Sequence, residues 1–295
     1  LSPEQPPWVL SLYLGGHSSV VSSHHILIPM DQRRTALITG ASAGLGVAFA
    51  RVFAANGFHL VLTARRDDRL RALAGELRQQ HGIDVRTITA DLADPAAPKR
   101  LFDELTTAGV TIDALVNNAG YGLPGRYVST RWDEQARFVQ VMVTAVCELA
   151  HRFLPPMIDR GYGRIINVAS VAGIVPGSPG HTLYGASKAF LIKFSQALAL
   201  ETRRHGVNVT AVCPGFTYSE FHDVNATREM VSQMPRWMWM DADTVARQGF
   251  DAVMNGRFVY VNGRVNRTIV FLVRHLPESW VLRAVLSQSR KFRKQ

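Results

Sequence analysis

Hydrophobic positions along this chain follow two periods in turn. From residue 34 onward, short apolar runs such as Ala36-Leu37-Ile38 and Leu60-Val61-Leu62 are separated by stretches in which apolar residues recur every three or four positions. The runs predict strands at Thr35 to Thr39, Phe58 to Ala64, Asp84 to Thr89, Ile112 to Asn117, Arg164 to Ala169, Val207 to Cys213 and Arg257 to Val261. The stretches between them predict helices at Leu45 to Asn56, Asp67 to His81, Pro95 to Ala108, Asp133 to Ile158 and Thr182 to His205. A further helix, capped by Asp241 or Asp243, runs to Asn255. Apolar strands alternating with helices imply right-handed crossovers, so the expected architecture is α/β: a single doubly wound parallel sheet with helices on both faces. Ligands of such sheets bind beyond the carboxyl ends of the strands.

Both ends of the chain depart from this pattern. Residues 1–29 hold one acid, no Lys or Arg, Pro3, Pro6, Pro7 and a Ser/His-rich run, and the apolar stretch Trp8 to Leu14 is too short to span a bilayer. Met30 precedes the first convincing strand, so residues 1–29 are expected to be a disordered extension and 30–263 the folded domain. Residues 264–295 interleave apolar positions with eight Lys and Arg against the single acid Glu278, and Pro277 divides them into two helical pieces.

Most of the formal net charge of +10 therefore belongs to this C-terminal helical extension, and no nucleic-acid motif accompanies it, which argues against a nucleic-acid partner. The basic amphipathic tail is expected to be a solvated helix face, to close one side of the pocket, or to make peripheral contact with an anionic membrane. The two cysteines, Cys147 and Cys213, lie far apart in apolar runs, which fits a reducing cytoplasm and suggests no metal site.

The candidate chemistry falls where strands end. Gly40, Gly44 and Gly46 form a turn between the first strand and its helix, where backbone N–H groups and a positive helix end can approach a pyrophosphate. Tyr184 and Lys188 stand four apart on a predicted helix and so share a face. A phenol, with a pKa of about 10, is a poor acid near neutrality, and a neighbouring ammonium stabilises the phenolate left behind. The second strand ends in Thr63-Ala64-Arg65-Arg66, with no acid to bind ribose hydroxyls. Arg65 can pair with a 2′-phosphate, which favours NADP(H) over NAD(H); the alternative is that Arg65 and Arg66, or Arg66 alone, merely start a solvated helix.

Taken together, the turn Thr39-Gly-Ala-Ser-Ala-Gly-Leu-Gly46, Asp91-Leu92, Asn117-Asn118-Ala119-Gly120, Ser170, Tyr184-x-x-x-Lys188 and Pro214-Gly215 resemble the short-chain dehydrogenase/reductases, over residues 34 to 262. The resemblance implies a Rossmann-like fold, an NADPH-dependent carbonyl reductase, and a homo-oligomer formed through the two long helices. It assigns Ser170, Tyr184 and Lys188 to catalysis. Cofactor contacts fall to Gly40, Ser42, Gly44, Leu45, Gly46, Arg65, Asp91, Leu92, Asn117, Ala119, Gly120, Tyr184, Lys188, Pro214, Gly215 and Ser219. The interval from Ser170 to Tyr184 is one residue longer than the family's usual one, and Met142 stands where the family has an asparagine that anchors a relay water. A thioether cannot donate to water, which keeps open a second class of function: a nucleotide-binding protein with little catalysis.

The segment from Phe216 to Met240 carries Phe221, Met230, Met234, Trp237, Met238, Trp239 and Met240. Thioethers and wide rings suit an adaptable apolar pocket wall, so the expected partner is a small lipophilic carbonyl compound, acyl or otherwise lipid-like, although each residue alone fits ordinary packing equally well. His181 and His222 flank the site and are expected to be solvent-exposed loop residues.

Overall fold

The computed structural model describes residues 33–123, 125–218 and 235–291. Seven strands form one sheet: β1 (Thr35–Thr39), β2 (His59–Ala64), β3 (Val85–Thr89), β4 (Ala114–Asn117), β5 (Gly163–Val168), β6 (Val207–Cys213) and β7 (Val259–Val261). Their order is β3-β2-β1-β4-β5-β6-β7, every pair parallel. The helices are α1 (Gly44–Ala55), α2 (Asp67–His81), α3 (Ala97–Thr107), α4 (Trp132–Val139), α5 (Ala145–Asp159), α6 (Thr182–Thr202), α7 (Ala242–Met254), α8 (Arg264–His275) and α9 (Glu278–Lys291). The residues 1–29 singled out above lie outside the described residues.

Strand alternation explains the two covered faces. Ala36, Ile38, Leu60, Leu62, Val116 and Ile166 point into a core with α1, α2 and α7, where Phe53, Phe58 and Phe250 meet edge to face at 5.0–6.2 Å. Their neighbours Leu37, Val61, Leu115 and Ile165 point the other way, against Leu101, Leu149 and Phe153 of α3 and α5. Apolar residues on both sides of each strand produce the continuous runs seen in the sequence.

Two elements differ from the sequence pattern. The long helix expected from Asp133 to Ile158 spans 132–159 and contains a π-helical segment, Gln140–Thr144, between α4 and α5, with Met142 buried at its middle. A π segment inserts an extra residue per turn without breaking the apolar stripe, so periodicity does not reveal it. By length and composition this helix could cross a membrane, yet its apolar residues Val146, Leu149, Phe153 and Met157 are buried in the fold. The helix expected to end at His205 closes in a short 3-10 turn, Arg203–His205. Asp241 is the cap of α7, its carboxylate accepting from Thr244 N at 3.0 Å, and Pro277 separates α8 from α9.

Candidate active site

Strand order reverses between β1 and β4, and the loops following these two strands are tied together. The Thr39 hydroxyl donates to Val116 O at 3.2 Å and accepts from Asn118 N and Ala119 N, both at 3.0 Å. The Asn118 side-chain amide donates to Thr39 O at 2.9 Å and Gly40 O at 3.3 Å. Glycine is required for this closure: a Cβ on Gly40, at φ +67°, would lie 2.8 Å from Ala119 Cα, and one on Gly46 would lie 2.2 Å from Gly40 O. Gly44 opens α1 at φ 52°. Ala43 caps α1 without a side-chain bond, and the first turn of α1 holds no acid, so its positive end is not matched by an acid of its own.

Arg66 does start α2, and it has a second role. Its guanidinium donates to Ser42 Oγ at 3.2 Å and Ser42 O at 3.3 Å, so it also bridges the end of β2 to the glycine turn. Its backbone is extended as the N-cap of α2, which sends the side chain back toward the turn. Arg65 is exposed and lies within electrostatic reach of Tyr121, whose hydroxyl burial pushes up and Arg137 and Arg65 pull down. The Asp91 carboxylate accepts from Ala93 N at 3.0 Å and pairs with Arg137 at 3.4 Å, and Leu92 is buried in the core. An uncapped helix end, a glycine turn closed on its neighbour and two guanidinium groups with no carboxylate at the β2 terminus fit a dinucleotide phosphate.

Asn117 is turned into the sheet. Its amide donates to Asn167 Oδ1 at 2.9 Å, Asn167 donates to Ser195 Oγ at 2.9 Å, and Ser195 donates to Leu191 O at 2.7 Å. This buried chain joins the ends of β4 and β5 to α6. Gly120 lies against Met142, whose Sδ would be 2.9 Å from a Cβ added there.

Tyr184 sits in the first turn of α6, hydrogen-bonded to the Ser170 side chain. Ser170 Oγ also accepts from Ala172 N at 3.1 Å and reaches Pro214 O at 3.4 Å, so it serves its own loop and the tyrosine together. Lys188 Nζ lies 5.7 Å from the Tyr184 ring centroid and donates to Val168 O at 2.7 Å. Lys188 is 6% exposed. Burial pulls its ammonium down to about 8, with the Cys213 thiol opposing, and burial pushes the Cys213 thiol up to about 12.

Burial also raises the Tyr184 hydroxyl above 10, while the Ser170 hydrogen bond opposes it. The expected acidification does not dominate here, because withdrawing the phenolate from water outweighs the one group that opposes it, the Ser170 hydroxyl. Pro214 O accepts from Val171 N at 3.0 Å, and Gly215 is covered by Asn266 of α8, whose Oδ1 would lie 2.4 Å from a Cβ there. His181, N-terminal to α6, is half-buried, and burial lowers its imidazole. Ser219, Phe221, His222, Met230 and Met234 lie outside the described residues.

Residues 34–229 match the family model described as short chain dehydrogenase. The chain is 40% identical over 187 residues to a sulfoacetaldehyde reductase 2 of Chromohalobacter salexigens, covering 63% of this chain and 73% of that one. It is 33% identical over 181 residues to a 7beta-hydroxysteroid dehydrogenase of Collinsella aerofaciens, covering 61% and 68%. Among solved structures, a short-chain dehydrogenase from Sphingobium yanoikuyae in complex with NADPH superposes with a TM-score of 0.73 at 31% identity, covering 89% of this chain and 96% of that one. The sheet and site define an oxidoreductase of the Rossmann type. This chain belongs to the short-chain dehydrogenase/reductase family, whose chemistry is NAD(P)-dependent interconversion of alcohol and carbonyl groups.

Proposed function

We propose that the protein is an NADPH-dependent carbonyl reductase for lipophilic ketones or aldehydes, acyl or otherwise lipid-like, with alcohol oxidation as the reverse reaction. The observation that carries this reading is the Tyr184 hydroxyl bonded to Ser170, with Lys188 buried beside the ring. A nicotinamide nucleotide supplies the hydride when bound. Ser170 and Tyr184 present hydroxyls to the substrate oxygen, where negative charge grows as hydride arrives, and donors already in place favour the transition state over the ground state. Tyr184 gives its proton to that oxygen, and the Lys188 ammonium stabilises the phenolate left behind.

Holding the cofactor falls to the glycine turn with Ser42, Leu45 and the first turn of α1 for the phosphates, and to Arg65 and Arg66 for a 2′-phosphate. Asp91, Ala119, Gly120, Pro214 and Gly215 are assigned to the rest of the cleft, while Leu92 and Asn117 support it from the core and the sheet. Support for a lipophilic substrate comes from the wall beyond Gly215, where Tyr218 stacks on Trp239 at 4.8 Å and Phe216 lies 5.5 Å from the same indole. The stacked and exposed Phe190 of α6, 5.9 Å from Phe194, supports assembly through the long helices, and two free cysteines support a reducing cytoplasm.

Initial rates with NADPH and NADH against a long-chain ketone, a steroid ketone and sulfoacetaldehyde test this. The expected result is a kcat/KM preference of about tenfold or more for NADPH and for the bulky substrates. NADH preference, or activity confined to sulfoacetaldehyde, would overturn it. Met142, buried against Gly120, favours a second reading, a nucleotide-binding protein with little turnover. Tight NADPH binding without oxidation on any substrate would select that reading.

A further inference from the structure

Helices α8 and α9 leave a large apolar surface uncovered. Asn266 and Val270 face the fold from α8, and Val281 does so from α9. On the outward side Phe271 is 60% exposed and Trp280 62% exposed, with Leu272 and Leu276 between them. Singly exposed apolar residues are ordinary, but four within the ten positions from Phe271 to Trp280 are not.

Charge identifies what covers them. Arg264, Arg274 and Arg283 are exposed on the same two helices, and Glu278 is the one acid between residues 264 and 291. None of the three arginines forms a salt bridge among the described residues. Large apolar side chains flanked by unpaired guanidinium groups match the acyl boundary and headgroup layer of an anionic bilayer.

The position of α8 gives the contact a purpose. Asn266 covers Gly215 and donates to Met240 Sδ at 3.6 Å, and Arg274 lies within electrostatic reach of Cys213, which itself neighbours Lys188. The helix therefore adjoins the substrate end of the cleft. We propose that the outward face of α8 and α9 docks on an anionic phospholipid surface and sets the cleft beside the membrane interface. This docking does not depend on the identity of the substrate or on turnover.

Sedimentation of the full chain with vesicles of phosphatidylcholine, and of an equal mixture of phosphatidylcholine and phosphatidylglycerol, tests the proposal. The expected result is binding to the mixed vesicles alone, weakened by salt. Phe271→Ser combined with Trp280→Ser, and separately Arg264→Glu combined with Arg274→Glu, should each weaken binding about tenfold or more while NADPH binding is kept. Absence of vesicle binding would overturn the proposal, as would binding that neither pair of substitutions reduces. Loss of a dimer on Phe271→Ser with Trp280→Ser, without vesicle binding, would assign the face to a second copy and overturn it equally.

Discussion

At the switch point, Thr39, Asn118 and Arg66 hold the glycine turn through backbone and side-chain hydrogen bonds from three different segments. Farther along the same carboxyl edge, Phe216, Tyr218 and Trp239 meet through stacked and tilted rings. Under the proposed function the contrast follows from what each region would meet. A dinucleotide presents fixed phosphates and hydroxyls, so its cleft can be pre-set by directional bonds, whereas a varied apolar substrate is better met by surfaces whose attraction is not directional. Tyr184, Ser170 and Lys188 lie at the seam, fixed like the first region and serving the second.

The largest break in the comparison comes at that seam. Tyr184→Phe keeps the ring and removes the proton, and should lower kcat by about a thousandfold with nucleotide affinity unchanged, as steady-state rates and fluorescence titration will show. Lys188→Met comes next and should move activity and stability in opposite directions. A lysine pulled down to about 8 disfavours the folded state by roughly 3 kcal/mol at neutral pH. Removing it leaves Val168 O unpaired at a cost of about 1–2 kcal/mol, so denaturant titration should show a net gain of about 1 kcal/mol.

The sign of the pH dependence follows from the same shift. Below about 8 both folded and unfolded chains carry the Lys188 proton and the penalty is whole. Between about 8 and the unfolded value of 10.5 only the unfolded chain retains it, so wild-type stability should rise with pH relative to Lys188→Met. Carbonyl reduction should decline over the same rise, since the ammonium that supports the phenolate is lost.

Arg66→Ala sharpens the contrast within the cofactor region. Because Arg66 also holds the glycine turn through Ser42, it should raise the KM for both nucleotides, whereas Arg65→Ala should raise the KM for NADPH by about tenfold and barely change that for NADH, a charge-assisted bond to a 2′-phosphate being lost in one case only. The smallest effect is expected at the π segment. Met142→Asn places an amide against Gly120 and should raise kcat a few-fold if a polar relay is what the thioether lacks, measured as rate against pH.

Sequence patterning reached the sheet almost completely, because strands buried on both faces need uninterrupted apolar runs and leave a plain signal. Its motifs, Ser170 after β5 and Tyr184 with Lys188 on α6, name side chains that the fold brings together. Four features escaped the patterning for identifiable reasons. The π segment preserves the apolar stripe of a regular helix. Arg66 resembles any first-turn arginine until its extended backbone is known. The raised Tyr184 hydroxyl depends on burial, which no spacing of tyrosine and lysine conveys. The Asn117-Asn167-Ser195 chain links residues distant in sequence and had no local signature.

The most direct test of the account follows NADPH oxidation by the wild-type chain and by Tyr184→Phe on one bulky ketone, with nucleotide binding measured on both. The account predicts equal binding and a turnover about a thousandfold lower in the variant. Equal turnover by the two proteins, or a wild-type chain that binds no nicotinamide nucleotide, would contradict it.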